Sequence, residues 1–228
     1  MQDKGAGAHD LVRPSTLTSM AKESIRVRIV TGEITAGKIH SVPALAGVLG
    51  VSATPVREAM LELAADGLVE AVPNRGFRVV ELSPHDLDEI FQVRLLLEVP
   101  AMERLAQRGL SAADRARFGE MVTLIEECAL GGDTIGFLAA DRDFHLGLMS
   151  LLGNSRLVEI VSRLRDQARL YGLLSLAQRG ELRESAQEHR EILDAVCDKQ
   201  IAKVAAVTGH HLEQTRGLWA GVAETVER

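Results

Sequence analysis

Apolar residues recur at three- and four-residue intervals along most of this chain, the signature of amphipathic helices. After residue 83 the pattern predicts six helices: Pro84–Arg108, Ala112–Leu130, Asp133–Leu152, Ser155–Gln178, Glu181–Cys197 and Gln200–Glu227. Gly109, Gly131-Gly132, Gly153 and Gly180 mark the breaks between them. The expected fold class is mainly α: an antiparallel all-α helical bundle over residues 83–228, preceded by a smaller unit at 15–82 and a flexible Gly-rich tail at 1–14.

The smaller unit reads differently. A helix is expected from about Ser15 to Thr31, then a turn flanked by Gly32 and Gly37, then a short helix from Pro43 to Leu49 closed by Gly50. Thr54 is the expected N-cap of a third helix running to about Asp66, with Pro55 at its first position. Two short helices joined by Gly50-Val51-Ser52 have the dimensions of a helix-turn-helix. Residues 68–72 and 77–80, either side of Pro73-Asn74-Arg75-Gly76, read as a β-hairpin. Together they predict a winged helix-turn-helix.

Composition narrows the function. The chain has 228 residues, a net charge of −6 and two cysteines, Cys128 and Cys197, without CxxC spacing. Both cysteines are expected to be buried thiols, not members of a disulfide framework or a thiolate metal site. Residues 1–81 carry equal numbers of acidic and basic side chains, so the whole net charge belongs to the helical part. Nonspecific nucleic-acid binding by the entire molecule is thereby disfavoured. No apolar run approaches the ~20 residues that span a bilayer, and no apolar core near Met1 suggests a signal peptide, so the expected compartment is the cytoplasm, with no membrane partner.

The run LGVSATPVREAMLELAADGLVEAVPNRGFRVV, within 34–80, resembles the DNA-binding domain of the GntR family of bacterial transcriptional regulators. The resemblance implies double-stranded operator DNA as partner, with Ser52, Thr54 and Arg57 at phosphates and base edges and Arg75 and Gly76 at the wing tip in the minor groove. Physically, a helix N-terminus offers free N–H groups to phosphate, and an Arg one turn in reaches guanine O6 and N7. Ala53 and Pro43 depart from relatives that carry basic residues there, which bears on operator sequence and affinity. Taken singly, Arg57 could instead pair with Glu58 or Glu62, while Arg78 and Lys38 read as solvated residues. A single winged helix with few basic residues makes too little phosphate contact for tight binding, so a dimer on a pseudo-palindrome is expected.

Polar residues interrupt three of the apolar stripes in the helical part. The inward lines are Leu138, Asp141, His145, Leu148, Leu152; Leu182, Ala186, His189, Leu193, Val196; and Val204, Thr208, His211, Thr215, Leu218. Burying three imidazoles and a carboxylate is costly unless they are paired or ligated. Asp141 and His145 stand one turn apart, so both can reach one ion. The set Asp141, His145, His189 and His211 suits Zn or Ni with coordination positions to spare. His210 falls off the stripe. Arg94 lies on the inward line Leu87, Phe91, Arg94, Glu98, Ala101, either ion-paired to Glu98 or clamping an effector carboxylate. Asn154 caps a helix or also bonds effector. Tyr171 and Trp219 are assigned to core or dimer interface.

Val93-Arg94 with Glu98, Asp141-Arg142-Asp143-Phe144-His145, Gly153-Asn154, Glu188-His189 and His211-Leu212 resemble the FCD effector-binding domain of the FadR subfamily, in its VanR-like branch. That resemblance implies a divalent ion on the four ligands, a small organic acid effector and a homodimer, hence a regulator, expected to be a repressor, and not an enzyme. Two other readings stay open at this point: a metal-dependent helical hydrolase using metal-activated water, and a sensor for which the ion itself is the signal.

Overall fold

The computed structural model describes the backbone of residues 14–179 and 182–226 and the side chains of residues 16–29, 31–168 and 182–214. The expectations for the N-terminal tail, the break at Gly180, Tyr171 and Trp219 lie outside those residues. Contacts divide the chain into two units that meet between Val80 and Glu81.

The first unit contains α1 (Pro14–Val30), β1 (Ile39–His40), α2 (Val42–Leu49), α3 (Ala53–Ala65), β2 (Val69–Val72) and β3 (Gly76–Val79). Its core is aliphatic: Ile25, Val56, Ala59, Leu63 and Leu68 are completely buried. Ser41 caps α2 by accepting from Ala44 N–H, and Gly50 ends it in the left-handed region at φ 67°. The third helix starts earlier than the sequence suggested. Ser52, not Thr54, is the N-cap, which puts Pro55 at the third helical position. Pro is tolerated there because that N–H would also lack an intrahelical acceptor. Ser52 makes no side-chain capping bond, and Glu58 instead accepts from the Thr18 hydroxyl at 2.7 Å.

The hairpin is present, and β1 adds to it in the antiparallel order β1-β3-β2. Sequence reasoning missed β1, a two-residue strand that exists only by pairing Ile39 and His40 with Arg78 and Phe77. Gly76 has φ 129°, and a Cβ there would collide with the His40 carbonyl, so glycine is required where the wing folds against β1.

The second unit contains α4 (Pro84–Arg108), α5 (Ala112–Gly131), α6 (Thr134–Ser150), α7 (Ser155–Arg179), α8 (Leu182–Cys197) and α9 (Ile201–Val226), matching the expected helices to within a few residues at each end. Four of the helix starts have a local cause. Ser83 forms a full capping box with Asp86, Ser111 accepts from Asp114 N–H, and Asp133 accepts from Gly136 N–H. Asn154 accepts from Leu157 N–H at 3.1 Å. The helices pack around an apolar centre that includes Phe118, Phe144, Leu148, Met149 and Ile192. Both cysteines are free, Cys128 buried and Cys197 half-buried. Among the described residues no helix is long and apolar enough to cross a membrane.

Candidate metal centre and nucleic-acid interface

In the first unit, α3 and the wing present the expected DNA-facing residues to solvent. Ser52, Thr54, Arg57 and Arg75 are exposed, and Gly76 is half-buried against β1. The two carboxylates that might have claimed Arg57 are engaged elsewhere: Glu58 with Thr18, and Glu62 with Lys22 at 3.1 Å. Lys22 also holds Asp66 at 2.8 Å. Arg57 and Arg75 make no side-chain ion pair among the described residues. Arg78 differs, because it is bound to Glu70 across the hairpin at 3.0 Å. At the wing tip Asn74 takes the left-handed conformation, φ 60°, which its short polar side chain tolerates better than most.

In the second unit, α6 carries Asp141 and His145, α8 carries His189, and α9 carries His211. One potential ligand atom from each falls within 4.8 Å of all the others, and all four residues are buried. His145 Nε2 lies 3.2 Å from His189 Nε2, and Asp141 Oδ1 lies 2.9 Å from His189 Nε2 and 3.6 Å from His145 Nε2. The His145 and His211 rings stack at 5.0 Å, and His189 stands edge-on to His211 at 4.7 Å.

The hydrogen bonds behind the rings decide what these atoms can do. His189 Nδ1 is 2.7 Å from the Ser185 carbonyl, which can only accept, so the ring donates from Nδ1, and in the neutral ring Nε2 carries the lone pair. His211 Nδ1 is 2.7 Å from Glu188 Oε2, with the same consequence. Burial pushes the His211 imidazole down to about 4 against the opposing pull of Glu188, and burial followed by the nearby Arg165 charge holds His145 well below its ordinary value. His145 and His211 are thus held neutral, and in the tautomers that donate from Nδ1 the ring Nε2 lone pairs converge on one another and on a carboxylate oxygen. In those tautomers the acceptors repel one another, and a cation at their centre relieves the repulsion. The donor set fits a divalent ion of the zinc or nickel type.

Arg94 sits beside this cluster, 4% exposed, and its Nε bonds Glu98 Oε1 at 2.7 Å. The structure thus gives Arg94 the ion pair that was one of its two sequence readings. Sequence reasoning missed Arg165, on α7 and 2% exposed. It binds Glu98 Oε2 through Nε at 3.0 Å and lies 3.4 Å from Asp141 Oδ2 through a terminal nitrogen. Burial alone would raise the Glu98 carboxyl, but the two guanidinium charges outweigh it and hold it at about 2. A buried chain of charge therefore runs from Arg94 on α4 through Glu98 and Arg165 to a candidate ligand on α6. Thr208, one turn before His211, is buried with a hydroxyl that has no hydrogen-bond partner among the described residues. Asn154 is exposed and caps α7, and His210 is exposed.

Residues 17–79 match the model for bacterial regulatory proteins of the gntR family, and residues 89–214 match the FCD domain. A curated relative from Paenarthrobacter nicotinovorans, "Probable D-xylose utilization operon transcriptional repressor", is 32% identical over 201 residues, which cover 87% of this chain and 86% of that protein. The gluconate operon transcriptional repressor of Bacillus licheniformis is 30% identical over 186 residues, covering 81% of this chain and 74% of that one. Among solved structures, E. coli McbR/YncC aligns with a TM-score of 0.79 at 26% identity, covering 90% of this chain and 97% of that one. With an N-terminal reader matched by one family model, a helical domain matched by the other, and relatives over most of its length that are transcriptional regulators, the chain belongs to the GntR family of bacterial transcriptional regulators with an FCD domain.

Proposed function

We propose that this regulator binds a pseudo-palindromic operator as a homodimer, and that a small carboxylate bound at a divalent metal centre in the helical unit sets its operator affinity. The observation that carries this reading is the convergence of Asp141, His145, His189 and His211 in the core of the bundle. Ser52 at the N-cap of α3, Thr54 and Arg57 on that helix, and Arg75 and Gly76 in the wing supply the DNA contacts. Zn²⁺ or Ni²⁺ on four protein ligands keeps positions for a carboxylate oxygen. The buried guanidinium of Arg94 adds positive charge, and the Thr208 hydroxyl is a further hydrogen-bonding group on the stripe that carries His211. The ligands come from three helices, so the ion binds the folded bundle in preference to the unfolded chain and stabilises it.

The test uses full-length protein purified without a His tag. Elemental analysis and metal titration are expected to give one divalent ion per chain, and chelation to lower the melting temperature. Operator binding is then measured with and without a panel of carboxylic acids on the metal-loaded protein. An effective acid shifts affinity about 5–150-fold, the usual range of allosteric coupling. A protein that neither contains nor takes up metal overturns the metal reading. A response to metal with none to any acid makes the ion itself the signal.

A further inference from the structure

Helix α8 delivers two consecutive residues to the centre. His189 is a candidate ligand whose Nδ1 is tethered to a backbone carbonyl of its own helix. On α9 the Nδ1 of His211 is held instead by the Glu188 side chain at 2.7 Å, with both residues buried. The remaining Glu188 oxygen, Oε1, is buried and accepts no hydrogen bond among the described residues, and the exposed His210 ring comes only to 3.5 Å. A buried carboxylate with one strong donor is expensive to desolvate, because only part of its lost hydration is replaced. A positive ion across the His211 ring would offset that cost.

We propose that Glu188 is a positioning residue of the metal centre, which orients His211 and fixes the tautomer whose Nε2 lone pair faces Asp141, His145 and His189. This rests on the metal reading above. A carboxylate can only accept, so it keeps the proton on Nδ1. Its negative charge makes the ring a stronger electron donor and adds to the charge opposing the ion. In the absence of metal the same carboxylate is a burden on the fold. Its removal therefore weakens metal binding without weakening the metal-free protein, the reverse of what a purely structural hydrogen bond would do.

Two variants of the tag-free full-length protein, Glu188→Gln and Glu188→Ala, are titrated with Zn²⁺ and Ni²⁺ against a chelating indicator. Both are expected to bind one ion about 10–100-fold more weakly than the parent, the usual effect of losing such an outer partner. The metal-free melting temperature is expected to stay or to rise. Long-range proton–nitrogen spectra of the metal-free parent should show His211 protonated on Nδ1, a state lost in Glu188→Ala. Substituting the exposed Glu184→Gln on the same helix should leave metal affinity unchanged, which removes a general charge effect as the cause. Parent-like metal affinity in both Glu188 variants overturns the proposal, as does a fall in metal-free stability with affinity intact. A parent that binds no metal fails at the earlier step and overturns the metal reading itself.

Discussion

Two pairs of arginines divide the work of this molecule. Arg57 and Arg75 are exposed and carry no ion pair among the described residues, whereas Arg94 and Arg165 are buried around one carboxylate, Glu98. The exposed pair costs nothing to hydrate and is available to a polyanion, where displaced counterions supply most of the binding energy. The buried pair is fixed in place, and its charges act on neighbouring groups instead: they hold Glu98 ionised and add to the burial that depresses His145. The same side chain is left open to solvent in one unit and is scaffolding in the other, depending on whether a carboxylate reaches it first. Breaking the two arrangements should therefore have opposite signatures.

The largest effect is expected from Glu98→Ala. It leaves two buried guanidinium groups without their shared partner, and losing one member of a buried pair costs about 3–5 kcal/mol. Urea unfolding of the second unit should show it, and near-parent stability would mean that Arg94 and Arg165 find other partners. The pH dependence follows from the same group. Glu98 titrates lower in the folded state, about 2, than its ordinary 4.5, so its stabilising contribution is complete above 4.5 and is lost as pH falls through about 2. The gap in stability between the parent and Glu98→Gln should narrow over that window, and a gap that stays constant would sink the assignment.

The sequence made one side of this contrast visible and hid the other. His145, His189 and His211 each replace an apolar residue at a three- or four-residue step, so the stripe that predicts the helix also marks the candidate ligand. Arg165 carries no such mark, because α7 reads SRLVEIVSRLRDQ and its arginines are interleaved with apolar residues. Only the fold shows which one turns inward, and its partner Glu98 is 67 residues away. Glu188 is hidden for a related reason: it adjoins a conspicuous histidine, yet serves a different one on another helix. The Thr54 cap was misplaced because Ser52 and Thr54 are both capable caps two residues apart, and Pro55 is tolerated behind either. Strand β1 had no periodicity to show in two residues.

An intermediate effect is expected from Arg57→Ala, and it should fall on binding alone. Loss of a bidentate base contact costs about 1–3 kcal/mol and relaxes preference at that position of each half-site. An exposed residue without an intramolecular partner should change folding stability by no more than about 0.5 kcal/mol. Anisotropy titrations at fixed salt, with parent and single-base-variant operators, separate these outcomes. Uniform weakening across all sequences would reassign Arg57 from base to phosphate.

The smallest and sharpest comparison is within the wing, where Arg75 and Arg78 stand three residues apart. Arg75 has no ion-pair partner among the described residues, whereas Arg78 is held by Glu70 at 3.0 Å across the β2–β3 pair. If availability decides which arginine meets DNA, Arg75→Ala should lower the slope of log affinity against log salt by about one, the value for one lost phosphate neutralisation. Its folding stability should not change measurably. Arg78→Ala should leave the salt slope alone and cost about 0–1 kcal/mol in stability, as expected for an exposed cross-strand pair. Equal slope changes in the two variants would show that DNA competes successfully with Glu70 for Arg78. An intramolecular partner would then no longer distinguish the arginines that read DNA from those that hold the fold.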